Sequence, residues 1–127
     1  MKIEHVAFNV ADPVAMAAWY EAHLGMMTVR RQEAAPFTHF LADESESVLV
    51  EIYNNPADQV PAYASMSPLL LHLAFISPQP EVQKEALLAA GATFVEEVHQ
   101  PDGSYLVMLR DPWGLAFQLC KRGTPML

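Results

Sequence analysis

From Ile3 to Val10 apolar and polar positions alternate, with Val6, Phe8 and Val10 on one side of an extended chain and His5, Ala7 and Asn9 on the other. That period of two marks a strand with one face in a core. Asp12-Pro13 follows, a capping side chain with proline at the first helical position. Val14, Met16, Ala17, Tyr20 and Leu24 then recur at helical spacing until Gly25, which predicts a helix over 13–24. Three β-rich runs come next, near 26–33, 37–42 and 47–54, separated by Ala34-Ala35-Pro36 and Asp43-Glu44-Ser45-Glu46. The predicted order is β-α-β-β-β.

Past a Pro-containing linker the order returns, with a strand at 69–77, a helix from about 80 to 90, and strands near 93–99, 104–110 and 115–121. The positions themselves are matched. His5 and His72, Glu51 and Gln118, and Pro13 and Pro80 each stand 67 positions apart, and the two helix stops Gly25 and Gly91 stand 66 apart. A period of this length signals two structural modules, each of which alone would leave a sheet face uncovered. The expected fold class is therefore α+β, a tandem of βαβββ modules with mixed sheets. We expect one domain over 1–127, made of modules at about 1–54 and 69–122 joined by a linker at 55–68. Pro101-Asp102-Gly103 and Asp111-Pro112-Trp113-Gly114 read as strand-connecting turns.

Charge narrows the class of partner. Seven Lys and Arg stand against 15 Asp and Glu, giving a formal charge of -8, and no basic stripe is available to neutralise phosphates. No apolar run approaches the roughly 20 residues of a membrane span. Neither nucleic acid nor membrane is expected as a partner. The start, Met1-Lys2-Ile3-Glu4-His5, carries an acid and a histidine where a secretion signal has its apolar core, so the expected location is cytoplasmic. The single cysteine, Cys120, has no partner for an intramolecular disulfide and agrees with a reducing compartment.

Alternation also shows which polar side chains can meet. Val48, Val50 and Ile52 form one face of their strand and Leu49, Glu51 and Tyr53 the other. Leu115, Phe117 and Leu119 likewise oppose Ala116, Gln118 and Cys120, and Leu71, Leu73 and Phe75 oppose His72, Ala74 and Ile76. Four strands thus each place one metal-capable side chain on the face away from the helix: His5, Glu51, His72 and Gln118. A lone strand histidine is usually a hydrogen-bonded or half-exposed residue, and a lone glutamate is usually solvated. Four at matched positions change the balance, because a carboxylate among Val and Ile is costly to bury unless a cation or donor compensates it.

These segments carry a resemblance. Ile3-Glu4-His5-Val6-Ala7-Phe8-Asn9-Val10, Trp19-Tyr20-Glu21-Ala22-His23-Leu24-Gly25-Met26, Val50-Glu51-Ile52-Tyr53-Asn54, Leu71-His72-Leu73-Ala74-Phe75 and Asp111-Pro112-Trp113-Gly114-Leu115-Ala116-Phe117-Gln118-Leu119 resemble the vicinal-oxygen-chelate superfamily over nearly the whole chain. That superfamily includes glyoxalase I, methylmalonyl-CoA epimerase, extradiol dioxygenases and the fosfomycin- and bleomycin-resistance proteins. The resemblance implies one divalent metal ion (Zn, Ni, Co, Mn or Fe) per site, held by His5, Glu51, His72 and Gln118. It also implies a homodimer and a small-molecule substrate chelated through neighbouring oxygens. Gln118 departs from the pattern, since glyoxalase I and the epimerase usually have glutamate there. Glu51, the only carboxylate of the four, becomes the candidate base of a glyoxalase-like lyase or isomerase. An iron(II) dioxygenase built on His5, His72 and Glu51 is an alternative, and a binding or sequestering resistance protein without catalysis is another. Asn9, His39, Tyr53 and Trp113 are the candidate substrate contacts, and of the adjacent Arg30-Arg31 pair only one side chain can point inward to meet a substrate carboxylate.

Overall fold

The computed structural model describes residues 1–126; Leu127, the end of the expected 1–127 domain, lies outside them. The chain divides into two compact units, Met1–Pro61 and the remainder from Ala62. In the first, β1 (His5–Asn9), α1 (Pro13–Leu24), β2 (Met27–Arg31), β3 (His39–Ala42) and β4 (Leu49–Tyr53) follow in order. In the second, a 3-10 turn at Tyr63–Ser65 precedes β5 (Leu73–Ile76), α2 (Pro80–Ala89), β6 (Thr93–His99), β7 (Tyr105–Arg110) and β8 (Ala116–Lys121). Each unit is a four-stranded mixed sheet with one helix, with spatial orders β1-β4-β3-β2 and β5-β8-β7-β6. This is the expected α+β class.

The helices begin where the sequence places them. The Asp12 side chain accepts from the Ala15 amide at 3.0 Å, meeting one of the amides that a helix start leaves without an intrahelical partner. Gly25, at φ 68, ends α1 in the left-handed conformation that suits glycine. Met16, Ala17 and Tyr20 from α1 are buried with Phe8, Val10, Leu41 and Ile52 in the first unit, and Leu87 with Val107, Leu109, Leu115, Phe117 and Leu119 in the second. Full burial of one such side chain contributes roughly 1.5–3 kcal/mol, whereas an exposed ion pair contributes roughly 0–1. The cores, not the surface charges, hold the units together.

Two expectations need correcting. The strand read over 69–77 begins only at Leu73, and Leu69 and Leu70 are each 77% exposed. The segment before it is turned, with the Leu70 amide on the Ser67 carbonyl at 3.0 Å, so its leucines never enter the ladder. Nor does apolar alternation guarantee burial at strand starts. Val6 on β1 remains 44% exposed, because α1 lies chiefly over β2, β3 and β4, and Val48, just before β4, remains 38% exposed.

Gly114, in the turn between β7 and β8, has φ 91, and a Cβ there would lie 2.6 Å from the Ala64 amide nitrogen and 2.7 Å from its Cα. Backbone against backbone cannot yield as a side-chain tip would. Gly114→Ala should cost roughly 2 kcal/mol or more, read as a lower midpoint in urea unfolding. A smaller bridge ties α2 to its sheet. The Lys84 ammonium donates to Glu97 at 2.8 Å and the Tyr105 hydroxyl to the same carboxylate oxygen at 2.7 Å. Those two hydrogen bonds, Lys84 first, hold the Glu97 carboxyl below its ordinary 4.5. A lowered pKa gives stability that is present above the ordinary value and lost as pH falls through the folded one. Glu97→Gln should therefore melt slightly earlier than wild type at neutral pH, with the gap closing in thermal melts taken below about pH 4.5.

Candidate functional site

The parallel pairs β1–β4 and β5–β8 share one register. His5 lies opposite Leu49 and Ala7 opposite Glu51, while Ala74 lies opposite Gln118. His72, two residues before Ala74, thus holds the place that His5 holds in the first unit. Because same-face residues recur every second position, His5 and Glu51 lie diagonally on one face of the first pair; His72 stands one residue before β5 and has no ladder partner of its own.

In the first unit they touch. His5 Nε2 is 3.2 Å from Glu51 Oε2, and the Glu51 side chain is only 18% exposed. The other ring nitrogen, Nδ1, is 2.8 Å from Glu4 Oε2. Carboxylates only accept, and each ring nitrogen faces one, so a neutral ring satisfies one contact and a second proton or a cation is needed for the other. An imidazole held between two carboxylates is an arrangement that supports a metal ion. The Phe40 ring stands edge-on to His5, with centroids 5.9 Å apart, and walls the pair on the β3 side.

In the second unit the ring meets a backbone carbonyl in place of a carboxylate. His72 Nδ1 lies 2.7 Å from the Pro68 carbonyl. A carbonyl cannot donate, so Nδ1 holds the proton and the Nε2 lone pair is left for a ligand. Gln118 Oε1 accepts from the Cys120 thiol at 3.1 Å. Burial pushes that thiol's pKa up and keeps it protonated as a donor. An amide oxygen retains a second lone pair, so it can still ligate. Among the described residues, no three His, Cys, Asp or Glu side chains gather as a metal site.

The other candidates fall elsewhere. Asn9 shares the His5 face, but its Oδ1 accepts from the Asn55 amide at 2.9 Å and its Nδ2 donates to the Asp58 carbonyl at 3.2 Å, anchoring the start of the linker. His39 is opposite Ile52 in the ladder and is therefore on the helix-facing side, not the Glu51 side. It is buried, with Nδ1 2.7 Å from the Phe37 carbonyl, and this corrects its expected place beside the substrate. The sequence showed that it shares a face with Leu41 but not which face that is. Tyr53, two residues beyond Glu51, shares the Glu51 face. The backbone amide of Trp113 donates to Asp111 at 2.9 Å in a turn whose buried aspartate also takes the Leu115 amide, which identifies the turn chemistry and assigns the indole no ligand.

A family model described as a glyoxalase-like domain matches residues 5–120. The chain belongs to that family. It is thereby a member of the vicinal-oxygen-chelate superfamily. Among solved structures it is similar to a glyoxalase family protein from Enterococcus faecalis, at 26% identity and TM-score 0.72 over 94% of this chain and 97% of that one. A glyoxalase/bleomycin resistance protein from Albidiferax ferrireducens follows at 22% identity and TM-score 0.65, covering 94% and 98%. An antibiotic-binding protein from a Streptomyces species shares the fold at 14% identity and TM-score 0.73, covering 96% of each chain. No curated protein matches the chain. No helix of this glyoxalase-like chain, among the described residues, is long and apolar enough to cross a membrane.

The ring geometry makes a direct prediction. Long-range proton–nitrogen NMR correlations should show His72 as the Nδ1–H tautomer at neutral pH without added metal. An Nε2–H signal would remove the basis for treating its Nε2 as a free ligand atom.

Proposed function

We propose that this glyoxalase-like protein is a divalent-metal-dependent lyase or isomerase acting on a small substrate held through vicinal oxygens. The observation that carries this reading is the His5–Glu51 pair, an Nδ1-anchored imidazole at 3.2 Å from a carboxylate largely withdrawn from water. In this reading His5, Glu51, His72 and Gln118 are metal ligands. Two nitrogens and two oxygens suit the borderline divalent metals from manganese to zinc. When bound, such an ion stabilises negative charge developing on the substrate oxygens. Glu51 moves the proton at the adjacent carbon, being the only ionisable oxygen ligand of the set, while Gln118 ligates without competing for that proton. The Pro68 carbonyl keeps His72 in the tautomer whose Nε2 can ligate. We take the working form to be a homodimer in the cytoplasm.

A second reading has one observation in its favour. With Gln118 Oε1 already accepting from Cys120, the remaining set is two histidines and one carboxylate, the composition of non-haem iron(II) oxygenases. A sequestering protein with this fold, such as the antibiotic-binding neighbour, is the non-catalytic alternative.

Metal titration separates these. Wild type should bind about one divalent ion per site, and His5→Ala or His72→Ala should each weaken it by tenfold or more. Glu51→Gln should leave the thermal melt nearly unchanged while turnover of an α-hydroxycarbonyl or hemithioacetal substrate falls by roughly 10²–10⁴-fold. Gln118→Glu should tighten metal binding. A protein that binds no added metal is a sequestering one; oxygen uptake by the iron form, lost in Gln118→Glu, selects the dioxygenase.

A further inference from the structure

The face that carries Glu51 runs on across the first sheet. Phe40 is opposite Glu51, and Arg30 is opposite Phe40. Antiparallel partners point the same way, so Glu51, Phe40 and Arg30 form one row on β4, β3 and β2. Arg30 reaches this row through a fault in the ladder. Met27 pairs with Ala42 and Thr28 with Leu41, and the register then slips between Thr28 and Arg30. Simple alternation from Thr28, on the helix side with Leu41, would return Arg30 to that side. The extra residue, Val29, turns it over, which is a recognised use of a β-bulge. Arg31 takes the helix side in its place, opposite His39, and its guanidinium is paired with Glu33 at 2.7 Å.

The second unit keeps the bulge and changes the chemistry. There the slip lies between Phe94 and Glu96, and the row reads Gln118, Met108, Glu96. The cation on that face, Arg110, donates to the carbonyls of Tyr63 at 2.8 Å, Gly114 at 3.0 Å and Met66 at 2.7 Å, and so holds loops in place. Arg30 is exposed, and its guanidinium makes no hydrogen bond or ion pair to a described residue. The first unit thus holds a basic fork in line with its carboxylate, two strand spacings or roughly 10 Å away, with an aromatic ring between them.

We propose that Arg30 is the specificity residue that anchors a carboxylate on the far end of the substrate. This rests on the metal reading above, which places the reacting oxygens at Glu51. The substrate class that fits the row has a chelating pair of oxygens at one end, an apolar stretch lying over Phe40, and a carboxylate matched to the planar guanidinium.

The test uses zinc-loaded protein and hydroxamates, which chelate through neighbouring oxygens. Three probes are compared by calorimetry: acetohydroxamate, suberic acid monohydroxamate with its free carboxylate, and the methyl ester of the latter. Wild type should bind the free acid about tenfold or more tighter than the ester, the range of a charge-assisted hydrogen bond. Arg30→Gln should erase that preference while leaving acetohydroxamate affinity unchanged. Arg30→Lys should restore part of it, and Arg31→Gln should leave it intact. Equal affinity for acid and ester, or equal loss in the Arg30 and Arg31 variants, overturns the assignment of Arg30 alone. Failure of acetohydroxamate to bind in any form overturns the metal reading and this inference with it.

Discussion

Everything at the candidate site depends on the parallel pairing of the first and last strands of each unit. Parallel neighbours cannot be joined by a hairpin and need a long crossover. Here the crossover is a helix followed by two strands, so His5 and Glu51 become diagonal neighbours across one strand pair. The diagonal brings an imidazole and a carboxylate to 3.2 Å; a one-residue slip would send Glu51 to the helix side. The buried row on the opposite face, including Phe8 and Ile52, makes such a slip costly. Core packing therefore fixes the site geometry without touching the site.

Order and type of element were legible in the chain because they rest on local signals. Asp12-Pro13 and Gly25 bracket α1, and period-two alternation marks β1 and β4. The correspondence of Glu51 with Gln118 was legible too, since equal separations in sequence became equal registers in the ladders, Ala7 with Glu51 and Ala74 with Gln118. What failed to show were features set by distant contacts. Nothing near Asn9 signals that the backbone of Asn55 and Asp58 would claim its amide. Nothing near His39 says which face Leu41 would bury. The strand expected at 69–77 failed for a local reason: an apolar Leu-Leu-Leu run looks the same whether it enters a ladder or is carried past it by a turn at Ser67 and Pro68.

Arg30 shows the deeper limit. Adjacent arginines on a strand must point opposite ways, so the sequence says that at most one of the two faces the site row. Which one depends on the parity of the strand, and a single bulged residue inverts parity from that point on. Val29 gives no composition cue of its own, being an ordinary β-former.

Duplication explains why the two units can share a backbone and differ in chemistry. The ladders keep the same register and each carries a bulge in its second strand, so equivalent positions stay aligned while their side chains diverge: Glu51 against Gln118, Phe40 against Met108, Arg30 against Glu96. The divergence is directional. The first unit holds the carboxylate, the aromatic wall and the uncommitted guanidinium. The second holds a neutral amide, bonded to a buried thiol that its own burial keeps protonated, and its arginine is tied to carbonyls. A site with two carboxylates in matching places could pass a proton from either side of a substrate carbon. In the proposed reading the Gln118 amide leaves Glu51 as the one ligand able to move a proton, which favours moving one proton along the substrate over inverting a centre with two bases.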